Sequence, residues 1–416
     1  MNKFEIIRKI LENAQNIKFY KDLYQNKGVQ IENIRSIEDF KTIPFVSKES
    51  VMGEMLHVED EETTFTRATS GTSGRMSIFH RSKKDREIHL DNFRTSANGY
   101  FTKDNRVMII FPPDLSFIFS GYFSAVGCEV CFGDVYDLNY SANLINETKV
   151  DTLRTTPMIA LKIGKILKRK NYKCEIINII LSGSMLSLLT RGALNDYYPE
   201  AKIIQNYGLA ETGLIGWQCP EIHGTNSYHI FEDTYLYEII DSETKKGSNS
   251  GELVISNLWV GSSSTLIRYK TGDHIEKSNK NCKRTKHGSI ITFRGRYRFD
   301  VLKLKGLTLY KDLFEKALLT VTDYITDTYQ LHLYEEEKND KILPQLILKV
   351  IPKEGTDKKI GRAIVERRIM SSFMITPKYT FKDGVDKGLF LPIKVEFVDN
   401  LKTGRVKTQD IIDHRG

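Results

Sequence analysis

The stretch Ile203-Ile204-Gln205-Asn206-Tyr207-Gly208-Leu209-Ala210-Glu211-Thr212 reads as a short strand over Ile203–Asn206 that runs into a glycine and a carboxylate. In open α/β sheets, ligands bind at the carboxyl ends of the strands. Glu211 therefore stands where a ligand is expected, and a helix-capping role is the alternative for it. Working upstream, Val107–Phe111, Glu129–Phe132 and Ile176–Leu181 are further short apolar runs. Helical patterns at Ser116–Val126, from Asn143, and at Leu186–Tyr197 separate them. Strand–helix alternation of this kind predicts βαβ units and an α/β fold with a largely parallel sheet. At the N-terminus, Phe4, Ile7, Ile10, Leu11 and Ala14 recur at helical spacing, which predicts one amphipathic helix over 3–26.

Downstream of about residue 227 the pattern changes to paired strands. Tyr235–Asp241 and Glu252–Asn257 alternate around Ser/Gly/Lys turns, with further strands at 289–294, 301–304 and 307–310. A helix over 311–321, strands at 328–335 and 344–352, a helix over 358–374 and a strand at 393–398 then predict a small α+β domain. The expected division is 1–299 and 300–416, with the boundary at Asp300.

The chain has 416 residues, 40% hydrophobic and 27% charged, which excludes bulk disorder and low complexity. Its net charge of +8, from 61 Lys+Arg against 53 Asp+Glu, is modest. That balance suits an anionic small molecule and is too diffuse for nucleic acid. Five cysteines, Cys128, Cys131, Cys174, Cys219 and Cys282, are too few and too scattered for a disulfide framework. No signal peptide is visible at the start. The most apolar stretch, Val107 to Phe132, is interrupted by Pro112, Pro113, Asp114 and Glu129, so no membrane span is expected. A cytoplasmic enzyme is the expectation.

Thr69-Ser70-Gly71-Thr72-Ser73-Gly74 has the composition of a phosphate-gripping loop, in which glycines allow close approach and hydroxyls and N–H groups donate. It lacks the Gly-Lys-[Ser/Thr] ending of a Walker loop. Taken alone, it also suits an ordinary connection. Arg268-Tyr269-Lys270-Thr271-Gly272-Asp273 places an acid in a tight turn, where it could accept from two ribose hydroxyls or simply shape the turn. From Lys277 to Lys311 there are eleven Lys/Arg and one acidic residue, a local field that attracts phosphates. A Gly-x-Ser-x-Gly elbow is absent, which speaks against a serine hydrolase.

These motifs, in this order, resemble the adenylate-forming superfamily of acyl-CoA ligases, and within it the phenylacetate–CoA ligase branch. Asn16–Tyr20 with Tyr24, the connector Ile37–Ser50, Thr155-Thr156-Pro157, Leu181-Ser182-Gly183, Phe231-Glu232-Asp233 and Gly251-Glu252-Leu253 are collinear with that family. The resemblance implies a large N-terminal domain of mixed sheets and helices that binds ATP and an acid. It also implies a small mobile α+β C-terminal domain that rotates about Asp300. An acid would be joined to AMP and then handed to a thiol, CoA or a carrier-protein thiol. Rival readings are an adenylating ligase with an amine or carrier-protein acceptor, and a nucleotide-binding homologue without activity. A homodimer is common among such relatives; nucleic acid and membrane partners are not expected.

Residue by residue, the resemblance places Thr69, Ser70, Gly71, Thr72, Ser73 and Gly74 on the phosphates of ATP. Tyr207 lies against adenine, with Gly208 and Thr212 beside the nucleotide. Glu211 holds Mg²⁺, and Asp273 and Arg296 hold the ribose. The acid would meet Phe117, Tyr122, Phe123, Ser182, Gly183, Asn206 and Gly213, an aromatic setting that suits an aryl or medium apolar acid. The family's C-terminal Gly-Lys pair falls on Lys402-Thr403-Gly404-Arg405-Val406-Lys407, so Arg405 stands at the lysine position if Gly404 aligns, and Lys407 or Lys402 if the loop is shifted. Some relatives carry zinc on Cys/His residues, for which Cys219, His223 and Cys282 are the counterparts, with His229 and His287 nearby. The absence of a Cys-x-Cys pair weighs against zinc.

Overall fold

A computed structural model describes residues 2–57, 63–69, 77–97, 100–241, 243–280, 282–283, 288–296, 300–304, 307–338, 341–401 and 410–414. The chain groups into two compact units. The first holds residues 1–107, 113–130 and 203–293, and the second holds 108–112, 131–202 and 294–416. This grouping cuts the chain differently from a single division at Asp300.

In the first unit the strands run in the order Tyr235–Ile240, Ser250–Asn257, Tyr269–Lys277, Ile290–Arg296, Ser227–Ile230, Gly213–Trp217 and Lys202–Leu209. Neighbours pair antiparallel, for example Tyr237 with Ile255 and His229 with Trp217. The expected strand at Ile203–Asn206 is longer than its apolar run, Lys202–Leu209, and turns straight into Gly213–Trp217. Glu211 therefore sits in a hairpin turn and caps no helix. Gly208 and Gly213 make that turn: a Cβ on Gly208 would meet the Gly213 carbonyl oxygen at 2.3 Å, and Gly213 has φ +80°. The helix expected over 3–26 is two helices, Lys3–Ala14 and Lys18–Lys27. An Asn2–Glu5 capping box starts the first, and tight i→i+3 turns at Asn16 and Ile17 end it. That break turns Ile17 and Tyr20 fully inward, where Tyr20 Oη donates to the Thr265 carbonyl at 2.9 Å and accepts from Ile267 N at 3.1 Å.

The second unit carries parallel strands Thr152–Thr155 and Asn178–Leu181 with the helices Leu138–Thr148, Pro157–Arg169 and Leu188–Tyr197. Pro157–Arg169 starts on a Thr156 cap with proline at its first position and turns Ile159, Ile163 and Leu167 inward. Its small sheet orders Lys394–Phe397, Lys341–Pro352, Ile325–Lys338 and Ile411–Asp413, a long hairpin flanked by two parallel edge strands. The helices Lys311–Leu318, Lys358–Ser372 and Phe381–Asp386 supply Phe314, Val365, Ile369 and Phe381 to one core with Leu331, Leu346 and Leu348. No helix among the described residues is long and apolar enough to cross a membrane.

Candidate active site

The first unit brings three of the expected nucleotide residues together. Tyr207 Oη donates to Asp273 Oδ2 at 2.6 Å, although 66 positions separate them. Asp273 is fully buried, and its turn is braced by Gly272 at φ +75° and by its own N–H donating to Thr271 Oγ1. Glu211 is 7% exposed, with Lys48 Nζ 3.7 Å from its carboxylate. Tyr269 lies between: burial first, then the carboxylates of Glu211 and Asp273, pushes its phenol well above the ordinary range. Arg81, which no motif marked, and Lys48 of the connector Ile37–Ser50 complete the corner. Arg81 donates to the carbonyls of Ala210 at 2.8 Å and Glu211 at 2.9 Å, fixing the hairpin turn from below. Lys48, on the connector, faces the same carboxylate.

Magnesium is held by one or two carboxylates together with substrate phosphates and water. A buried Glu211 carboxylate beside a cationic Lys48 fits that donor set, because the phosphates supply the remaining oxygens. Thr212 is buried; its Oγ1 accepts from Leu209 N at 3.4 Å, and its carbonyl accepts from Tyr235 Oη at 2.6 Å. Thr69 ends the strand Thr63–Thr69 and pairs with Ser77, while Ser70, Gly71, Thr72, Ser73 and Gly74 lie outside the described residues. So do Arg405, Lys407 and His287.

The expected acid-site residues differ among themselves. Tyr122 stacks on Phe93, with ring centroids 5.5 Å apart. Phe123 is fully buried against Phe93 and Phe101 and builds core. Phe117 is 68% exposed. Asn206 pairs with Trp217, next to the Gly213 hairpin. In the second unit, Ser182 follows the strand Asn178–Leu181, accepts from Arg154 at 2.9 Å, and precedes Gly183 at φ +91°. Arg154 is buried, lies over the Phe111 ring, and is pushed down to about 9 by burial.

Also in the second unit, Arg296 N donates to Asp300 Oδ2 at 3.0 Å. Asp300 lies 3.5 Å from the ammonium of Lys311, which also meets Asp410 at 2.5 Å and Glu315 at 3.8 Å. Burial alone would push Lys311 down, but these three carboxylates hold it above its ordinary value. Burial pushes Glu315 up to about 7, against the pull of Lys311.

Cys219, His229 and Cys282 form one buried cluster, with ligand atoms within 4.8 Å of one another and the two sulfurs 3.4 Å apart. His223 is not part of it: it is exposed, and its Nδ1 faces the Pro220 carbonyl at 2.7 Å. The pairing of His229 with Trp217 and Ile290 is what brings it to the sulfurs, where sequence proximity favoured His223. Two thiols and an imidazole suit zinc in kind, and a closed structural site takes a fourth ligand.

With a carboxylate, a second acid and a tyrosine gathered at the end of a strand, the chain has the fold of adenylate-forming enzymes of the acyl-CoA ligase type. The chain is a homologue of the phenylacetate–coenzyme A ligases. It is 22% identical to that of Thermus thermophilus over 376 residues, 86% of this chain and 82% of the relative. It is 24% identical to that of Aromatoleum evansii over 358 residues, covering 81% and 74%. Among solved structures, 2-hydroxyisobutyryl-CoA ligase in a postadenylation state matches 99% of this chain and 89% of its own length, with TM-score 0.81 at 16% identity. The anthranilate CoA ligase AuaEII matches 92% and 70%, with TM-score 0.63 at 12% identity. No family model matches the chain.

Proposed function

We propose that the chain activates a carboxylic acid with ATP as an acyl-adenylate and passes the acyl group to coenzyme A. The observation that carries this reading is the buried Tyr207–Asp273 hydrogen bond beside Glu211. A carboxylate offers about four lone-pair sites. The Tyr207 hydroxyl takes one on Asp273, and the same carboxylate is the group proposed to accept from ribose hydroxyls, with the Tyr207 ring set for adenine. Glu211 would hold Mg²⁺, which when bound neutralises phosphate charge. In the first half-reaction a carboxylate oxygen of the acid attacks the α-phosphorus, and pyrophosphate leaves. In the second, the CoA thiolate attacks the acyl carbon, and AMP leaves.

Such chemistry asks the protein for position and charge more than for covalent help. Thr69 to Gly74 grip the phosphates, Arg296 assists the ribose, and Arg405 or Lys407 brings a cation to the reacting oxygens. Asp300 serves as the hinge of a C-terminal domain, residues 300–416. An aryl or medium apolar acid is the proposed substrate, with Tyr122, Phe117, Asn206 and Gly213 as its binding residues in the first unit.

The test is ATP–pyrophosphate exchange over a panel of acids, followed by thioester formation with CoA. Acid-dependent exchange and a CoA thioester are expected. Whichever of Arg405→Ala and Lys407→Ala removes the reaching cation lowers exchange by about 10²–10³. Tight ATP binding with no exchange for any acid would overturn the reading.

A further inference from the structure

The helix Lys83–Ala97 buries a polar row. Asp85, His89, Asn92 and Ser96 fall on one face at i, i+4, i+7 and i+11, and are 0%, 3%, 7% and 5% exposed. The ends of the row are satisfied. Asp85 accepts from Ser82 N at 2.8 Å, Ser263 N at 3.0 Å and Trp259 Nε1 at 2.8 Å. Ser96 donates to the Phe93 carbonyl at 2.8 Å.

The middle of the row is not. Neither ring nitrogen of His89 has a hydrogen-bond partner among the described residues. Asn92 Oδ1 accepts from Thr234 Oγ1 at 2.9 Å, but its Nδ2 has no such partner. Burial, helped by the nearby Arg81 and opposed by Asp85, pushes His89 down to about 3. The imidazole is therefore neutral near pH 7, with one donor and one acceptor nitrogen. Leaving such buried groups unmatched carries the full cost of taking them out of water.

Their position gives this a reason. The His89 ring lies against Gly213, where a Cβ would stand 2.6 Å from its Cε1. Phe93, on the same helix, stacks on Tyr122. Gly213 and Tyr122 are both acid-site residues in the function proposed above, and the inference rests on that reading. We propose that His89 and Asn92 are specificity-determining residues that select an acid bearing a hydroxyl group, which donates to one nitrogen and accepts from another. A site built to hydrogen-bond its substrate rejects the analogue lacking that group strongly, because the protein groups are then left unmatched.

The experiment measures ATP–pyrophosphate exchange by the full chain with acids that differ by one hydroxyl. Phenylacetate is set against its ring-hydroxylated and α-hydroxylated forms, and isobutyrate against 2-hydroxyisobutyrate. For at least one pair the hydroxylated acid is expected to lead in kcat/KM by about tenfold or more. His89→Phe and, separately, Asn92→Leu are expected to shrink that ratio, and His89→Gln to keep part of it. Because the ratio is read within each variant, a general loss of rate does not obscure it, and either variant suffices if the other fails to fold. Wild-type ratios near one, ratios favouring the parent acid, or a preference unchanged in both variants would overturn the inference while leaving acid activation intact. Absence of exchange with every acid would overturn acid activation itself, and this inference with it.

Discussion

The helices Lys83–Ala97 and Lys311–Leu318 each bury polar side chains, and they treat them in opposite ways. On the second, Lys311 and Glu315 are matched inside the protein. Lys311 meets Asp300, Asp410 and Glu315, and Glu315 accepts from Leu188 N and Tyr329 Oη, both at 2.9 Å. On the first, His89 and half of Asn92 face the interior with hydrogen-bonding capacity that no described residue takes up. A closed network holds a fold together, and its members depend on one another. An open one stays ready for something that arrives. Burial alone does not distinguish the two; hydrogen-bond satisfaction does.

The largest effect that tests this contrast is on the closed side. Lys311→Met removes an ammonium that faces three carboxylates, and breaking a buried pair in this way costs about 3–5 kcal/mol. Denaturant unfolding would read it, and a change near zero would mean that the cluster is not closed after all.

A smaller effect is a pH slope. Glu315 has its folded value raised to about 7 from 4.5. The folded state thus binds the proton more tightly, and this contribution to stability is full below pH 4.5 and lost as pH rises through 7. Unfolding free energies measured across that window should show Glu315→Gln gaining on wild type as pH rises.

The smallest expected effect is on the open side. His89→Phe removes no hydrogen bond to a described residue, so its stability near pH 7 should stay within about 1 kcal/mol of wild type. A loss as large as that of Lys311→Met would show that His89 is structural.

The two helices also differ in how legible they are. Lys311–Leu318 follows the hairpin Val301–Leu304 and Leu307–Tyr310, whose alternation about Gly306 is plain in the sequence. Phe314, Ala317 and Leu318 mark its inner face. Lys83–Ala97 gives no such signal, because the face it buries carries Asp85, His89, Asn92 and Ser96 where an amphipathic helix carries leucines. The site divides in the same manner. Tyr207, Glu211 and Asp273 stand out as motif residues, but their convergence depends on strand register across 66 positions. Arg81 belongs to no motif and acts through backbone carbonyls, while Lys48 lies in the connector motif but nothing in the sequence pairs it with Glu211. Likewise, only strand pairing reveals that His229, rather than His223, joins the two cysteines. Pro157–Arg169 is readable from its cap and its apolar spacing, although Thr155-Thr156-Pro157 draws attention as a family segment instead.

The contact between Gly213 and His89 bears on how this enzyme could be redirected. Residue 213 can carry no side chain, since its backbone is left-handed and the imidazole fills the space a Cβ would need. The hairpin is therefore a fixed wall, and the helix opposite is the adjustable one. If His89 and Asn92 select the acid as proposed, changes at positions 89 and 92 are the route to a different acid, while the turn that carries Glu211 stays as it is.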